Sequence, residues 1–522
     1  MLTDLLNSRG RALRRLTGWL AATAFLCQGY DQAVANGFLT LDTFTRTFPE
    51  IDTIHADATQ LSKRSNLQGT TVAIYEVGCA LGALSCFRVG DMFGRRKVVF
   101  AASLVVILGA TIQASAYSLP QLIASRLING MGVGAYTATI PMYVSEVAHA
   151  NERGSLVLLE GMFAIGGVFL ATWINFGFYY VKSSANWRFP ISFQIVFALV
   201  VASTILFLPE SPRWLVEQDR LDDAKQVLAK LNDTTVDADV VAVEVASIRQ
   251  SMSGDVSNND PHSNKAFSRT RNRHLHRTIL AMALLMFAQM TGTNVITFYS
   301  NTIFEGTLGY SGAMSRILSG CLQIGHFAGA IIAVFVVERY DRRTLMLTTL
   351  GVFTIIQSSL AGLSSDLSSS SACKAMLFFY FLALFTFPIG FFLIPFMYAA
   401  EIASLRVRAK VTALAATTSW LFNFLLAMIT PIGFAHLHWR YYIVYASTSF
   451  CGFVTVWLFY PETRGRSLEE IEGIFLSTKS IFETVRVARE LKIEGELEPD
   501  PETLKGFGVE LKENVAYCTR ER

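Results

Sequence analysis

The chain has 522 residues, 52% hydrophobic and 16% charged, with a formal net charge of +3. A soluble protein of this size carries about a quarter charged residues, so the composition excludes an ordinary water-soluble globule. The net charge by itself says little, and no nucleic-acid partner is expected.

The first apolar block covers 17–38 and holds Asp31 in its interior. A carboxylate at membrane depth costs several kcal/mol unless it is paired, hydrated or protonated, so Asp31 is a candidate functional group. Eleven further blocks follow at 67–88, 98–116, 121–143, 154–178, 189–208, 277–299, 313–337, 344–363, 375–400, 411–432 and 440–460. Each is about 20 residues, long enough to cross a bilayer as a helix. The chain therefore reads as an all-α membrane protein with twelve transmembrane helices. The first block is too long for a cleavable signal and lacks a small-residue cleavage site. Basic residues cluster at Arg9–Arg15, Arg88–Lys97, Arg153, Arg269–Arg277, Arg339–Arg343 and Arg406–Lys410, alternating with connections poor in Lys and Arg. By the positive-inside rule both termini and the 209–276 segment lie in the cytosol.

Three motifs occur twice. GDMFGRRK (90–97) returns as ERYDRRTL (338–345), SEVAHANERG (145–154) as AEIASLRVRA (400–409), and PESPRWL (209–215) as PETRGRSL (461–468). The common offset, about 250 residues, indicates duplicated halves of six spans each. Parallel repeats of this kind are an architecture of secondary transporters, with substrate held between the halves near the midplane. The expected organisation is a six-helix half over 1–208, a cytosolic helical linker over 209–276, a second half over 277–460 and a tail over 461–522. In the linker, Asp219–Leu231 and Val240–Ile248 read as amphipathic helix. The charged motifs place Asp91, Arg95, Arg96, Glu146, Arg153, Glu210 and Arg213 at loops of the first half. Glu338, Arg342, Arg343, Glu401, Arg408 and Glu462 stand at the matching loops of the second. Their expected role is a gating network that latches one half against the other on the cytosolic face.

The seven cysteines are scattered without a metal or disulfide pattern. There is no phosphate-binding GxxxxGK[ST], and the Gly130–Gly134 run lies in a span, where it serves close helix packing. No cofactor, metal or catalytic constellation is expected, so the chain does not read as an enzyme.

GDMFGRRK, RLINGMGVG (126–134), PMYVSEVAHANERG (141–154), PESPRWL, QMTGTN (289–294) and PETRGRSLEEIE (461–472) follow one another at family spacing. In these motifs the chain resembles the sugar porter family of the major facilitator superfamily, over nearly all of 17–475. EGMFAIGG, INFGF and WRFPISFQIVFAL further resemble the fungal branch of monosaccharide and polyol proton symporters. The resemblance implies a rocker-switch carrier of the major facilitator fold, monomeric, in the plasma membrane. It also implies that Asp31 is the proton-coupling group and Arg126 its partner. A carboxylate beside a guanidinium stays ionised, and takes a proton once the partner moves away.

For the substrate site the resemblance implies Gln289, Asn294 and Asn423, with Tyr299 nearby, as groups for hydroxyls. Other positions depart from the family pattern. The fifth-span glutamine falls at Gly161, beside Glu160; the first of the paired seventh-span glutamines is Ala288. His326 replaces an asparagine, Phe396 a tryptophan, and Ser419 the asparagine before Trp420. Each lost partner of a desolvated hydroxyl costs about 1–3 kcal/mol, so the pocket need not fit glucose. The expected function is proton-coupled transport of a sugar, polyol or similar polyhydroxy compound. The alternatives are carriage of a specialised metabolite on the same scaffold and a non-transporting nutrient receptor.

Overall fold

The computed structural model describes residues 9–54, 58–147, 153–256, 273–366, 369–404, 407–466, 468–478 and 480–491. Helix α1 (Gly10–Phe38) leads through the short α2 (Asp42–Thr47) to α3 (Ala58–Phe93). Then come α4 (Arg95–Ala114), α5 (Leu119–Val147), α6 (Arg153–Tyr179) and α7 (Ala185–Phe207). Three shorter helices follow, α8 (Pro212–Glu217), α9 (Leu221–Asn232) and α10 (Asp239–Val256). The second half opens with α11 (His274–Gln289) and α12 (Thr293–Thr302), then α13 (Gly312–Val336) and α14 (Arg342–Leu363). It closes with α15 (Ser370–Phe387), α16 (Ile394–Ile402), α17 (Arg408–Leu437) and α18 (Tyr441–Phe459); α19 (Leu468–Ser477) and α20 (Thr484–Glu490) complete the described chain.

Helix occupies all twelve apolar blocks. Among the described residues nine stretches are long and apolar enough to cross a membrane, and the last of these, Lys410–Phe459, holds both α17 and α18. Helices α1 and α5 are not among the nine, and their buried faces carry Asp31, Asn36, Arg126 and Asn129. Polar groups at that depth must face protein or a cavity rather than lipid.

The duplication is visible in the packing. In the first half α1 lies on α6, α3 on α5 and α4 on α7; in the second, α11 lies on α17, α13 on α15 and α14 on α18. The halves meet where α3 packs on α17, α6 on α13 and α1 on α12. With no hydrophobic drive between helices in lipid, small residues must let backbones approach. The Gly130–Gly134 run does so: a Cβ on Gly134 would stand 2.0 Å from the Cys79 carbonyl oxygen, and one on Gly130 2.2 Å from that of Tyr75.

Two blocks expected as single helices are broken. The seventh span is interrupted between α11 and α12, where Gly292 takes φ +82°, and ends in a π turn at Ile303–Thr307. The tenth passes through a π turn at Pro388–Phe392 between α15 and α16. Unpaired carbonyls in a bilayer must be satisfied by neighbours. Thr448 of α18 donates to the Met290 carbonyl at 2.7 Å, and Gln357 of α14 to that of Thr291 at 2.7 Å.

The linker helices have a core of their own around Trp214, Leu228, Val241 and Val245. Helix α9 falls on the expected Asp219–Leu231 segment, while α10 starts beside Val240 but runs past Ile248 to Val256. Arg14 Nη1 donates to the Leu231 carbonyl at 2.9 Å, tying α9 to the start of α1. That end of the bundle is the linker face; the opposite end, at Phe38, is the far face.

Candidate functional site

In the second half the break after α11 aims side chains at α17. Asn294, two residues into α12, donates to Gln289 Oε1 at 2.7 Å and to Asn423 Oδ1 at 2.8 Å. Gln289 Nε2 donates to Ser419 Oγ at 2.7 Å. The three expected amides therefore form one connected group, with Ser419, the departure from the family pattern, as its fourth member. Tyr299 is buried and donates to the Ala427 carbonyl at 2.7 Å, so it braces α12 against α17. Trp420 is half-buried in the core, and Ala288 is buried. Phe396, expected beside the amides, is instead 41% exposed on α16. His326 is buried on α13 with Nδ1 3.1 Å from Gln323 Oε1, and its Nε2 has no partner.

In the first half Asp31 is fully buried, but its partner is not the expected one. Asn129 Nδ2, one turn beyond Arg126 on α5, donates to Asp31 Oδ2 at 2.5 Å and to Gln194 Oε1 at 3.0 Å. Arg126 points elsewhere: Nη2 donates to the Val72 carbonyl at 3.2 Å, and its guanidinium lies 5.4 Å from the Tyr75 ring centre. Asp31 Oδ1 and Arg126 Nε and Nη1 have no hydrogen-bond partner. The direct ion pair is thus replaced by an amide contact, and Asp31 and Arg126 interact only through their fields.

Sequence reasoning passed over Glu76 on α3. It is 2% exposed, Oε2 has no partner, and its carboxyl group interacts with Asn423 of α17, Gln32 of α1 and the charges of Arg126 and Asp31. The signal was present: Glu76 is a carboxylate inside the 67–88 block, the same argument that singled out Asp31. Glu160 itself is buried on α6 with Oε1 unpartnered.

The loop charges form two matching sets. Glu210 accepts from the backbone N–H groups of Arg95 at 2.9 Å and Arg96 at 3.2 Å, capping α4, while Arg95 pairs with Glu146 at 3.1 Å. Glu462 accepts from the N–H groups of Arg342 at 3.0 Å and Arg343 at 2.9 Å, capping α14. Arg342 lies 3.9 Å from Glu401, which also feels the charge of Arg408. Arg213 and Glu338 are exposed. The side chains of Asp91 and Arg153 lie outside the described residues. The expectation of a latch between halves is corrected for these bonds: each stays within one half, with Glu210 and Glu462 set beside the N-termini of α4 and α14.

Among the described residues, a set of bonds that cross between the halves lies toward the far face. Asn36 Nδ2 donates to Ser300 Oγ at 2.8 Å, and Asn301 N–H to Asn36 Oδ1 at 3.1 Å. Arg316, buried on α13, pairs with Glu305 at 2.7 Å, donates to Thr40 Oγ1 at 2.7 Å and lies 4.3 Å from the Tyr179 ring centre. Thr40 donates to Glu305 Oε1 at 3.1 Å. None of these groups was read as a closure from sequence: Arg316 stands near the start of the 313–337 block, and each group meets its partner only through the fold.

Residues 18–475 match the family model described as sugar (and other) transporter. The chain is 34% identical over 477 residues to sugar transporter STL1 of Saccharomyces cerevisiae, covering 89% of this chain and 82% of that one. It is 33% identical over 477 residues to MFS-type transporter oryC of Aspergillus oryzae, covering 90% and 87%. Its fold is similar to the proton:xylose symporter XylE bound to 6-bromo-6-deoxy-D-glucose, at TM-score 0.72 and 23% identity over 89% of this chain and 99% of that one. An inward open XylE from E. coli gives a TM-score of 0.69 at 20% identity, over 88% and 98%.

Proposed function

The chain belongs to the sugar (and other) transporter family, and we propose that it carries a sugar or polyol across the membrane together with a proton. The observation that carries this reading is the amide group Gln289–Asn294–Asn423, which reaches Glu76 beside the buried Asp31 and Arg126. Amides both donate and accept, which suits hydroxyl groups that must stay paired when desolvated. Substrate hydroxyls would take over the bonds that Gln289, Asn294 and Asn423 now make to one another. Asp31 would take a proton while Asn129 holds it away from Arg126, and give it up when helix movement brings the guanidinium to it.

The basic loops support a cytosolic assignment for the linker face and both termini, with the far face outside. On that assignment the Arg316–Glu305–Thr40 contact is an outer gate, and the structure is a state shut to the outside. The capped loops of Glu210 and Glu462 would hold each half rigid as it rocks. The working organisation remains halves at 1–208 and 277–460, a linker at 209–276 and a tail at 461–522, acting as a monomer in the plasma membrane.

The test is uptake of radiolabelled hexoses, pentoses and polyols in a transporter-null cell, with and without a proton uncoupler. Accumulation of one such compound, abolished by the uncoupler, is the expected result. Accumulation that survives the uncoupler overturns the proton; failure of the whole panel moves the specialised-metabolite reading ahead.

A further inference from the structure

The charges around Asp31 do not balance. Two carboxyl groups, Asp31 and Glu76, are buried with one guanidinium, Arg126, and all three interact. Facing Glu76 are Arg126 from α5, Asp31 and Gln32 from α1, Asn423 from α17, and Tyr75 and Cys79 on its own helix. Of these, Arg126 is the one cation. With both carboxyl groups ionised the cluster would hold one uncompensated negative charge at membrane depth, a state that burial strongly disfavours. With one proton the cluster is neutral. Its bonding agrees: Asp31 Oδ1 and Glu76 Oε2 are each buried without a partner.

We propose that Glu76 is the second half of the proton-binding site: Asp31 and Glu76 share one proton against Arg126. The inference deepens the symport reading and rests on it for its role in transport. Two buried acids that interact titrate as a pair, so the proton is assigned to the pair rather than to either residue. Binding one proton takes the cluster from a net charge of minus one to zero, and releasing it restores the charge. Glu76 is also the member in contact with Asn423, and through it with Asn294 and Gln289. A ligand that recruits Asn423 withdraws its amide from Glu76 and so alters how the pair holds its proton. The site therefore has a route by which substrate occupancy in one half reaches the acid of the other.

The test reads the proton directly, without a substrate. The purified full-length carrier in lipid nanodiscs at neutral pH is examined by infrared spectroscopy for the C=O stretch of a protonated carboxyl group, identified by its shift in D2O. A Glu160→Gln background removes the other buried span carboxyl group described above. The parent shows the band, and both Asp31→Asn and Glu76→Gln lose it, because either leaves one carboxylate facing one guanidinium. Glu76→Asp keeps it, which separates proton sharing from mere packing. A band that persists in Glu76→Gln, or no band in the parent, overturns the inference. Uncoupler-sensitive uptake by the wild type is measured separately; its absence removes the symport reading but not the shared proton.

Discussion

Asn129 and Arg126 lie one turn apart on α5, and the orientation of that helix decides which of them touches the Asp31 carboxylate. A charge inside an apolar run looks costly without a structure, but the run does not name its neighbour. Asp31→Asn should abolish accumulation against a gradient while substrate counterflow, which needs no net proton movement, survives. Loss of both would mean that Asp31 is structural. In the amide group, Gln289→Ala removes the partner of both Ser419 and Asn294 and one hydroxyl contact. The half-saturation concentration should rise about 10-fold, equivalent to roughly 1.4 kcal/mol. An unchanged value would assign Gln289 to packing.

At the scale of helices, each apolar block falls on helix, because hydrophobic length is the property the bilayer selects. The blocks could not show the interruption at Met290–Gly292, where α11 gives way to α12, or the π turn at Pro388–Phe392, where the ladder shifts to i→i+5 bonds. The duplicated motifs were legible too, and their shared function is capping: Glu210 closes the N-terminus of α4 as Glu462 closes that of α14. Replacing either by Ala should cost about 1–2 kcal/mol and lower the thermal midpoint of the purified protein by similar amounts in the two halves. A large loss from one and none from the other would show that the two loops no longer do the same job.

For the molecule as a whole, the pairing of α3 with α17 and α6 with α13 follows from duplication, but which end is shut does not. Arg316 and Glu305 lie in different helices and meet Thr40 and Tyr179 of the other half. Arg316→Ala should open the far end: a reporter introduced by Thr172→Cys in a cysteine-free background should react several-fold faster with a membrane-impermeant maleimide applied from outside. Equal rates in the two proteins would leave the closure to Asn36 and Asn301 alone. The two broken spans lie in the second half, while α1 and α5, their counterparts by duplication, run unbroken as helix. On the proposed transport cycle the first half would swing as a stiff lever while the second bends at its π turns, so a ligand would be enclosed by local bending before the large swing. The order of events in the cycle would then be written into where two helices change their ladder.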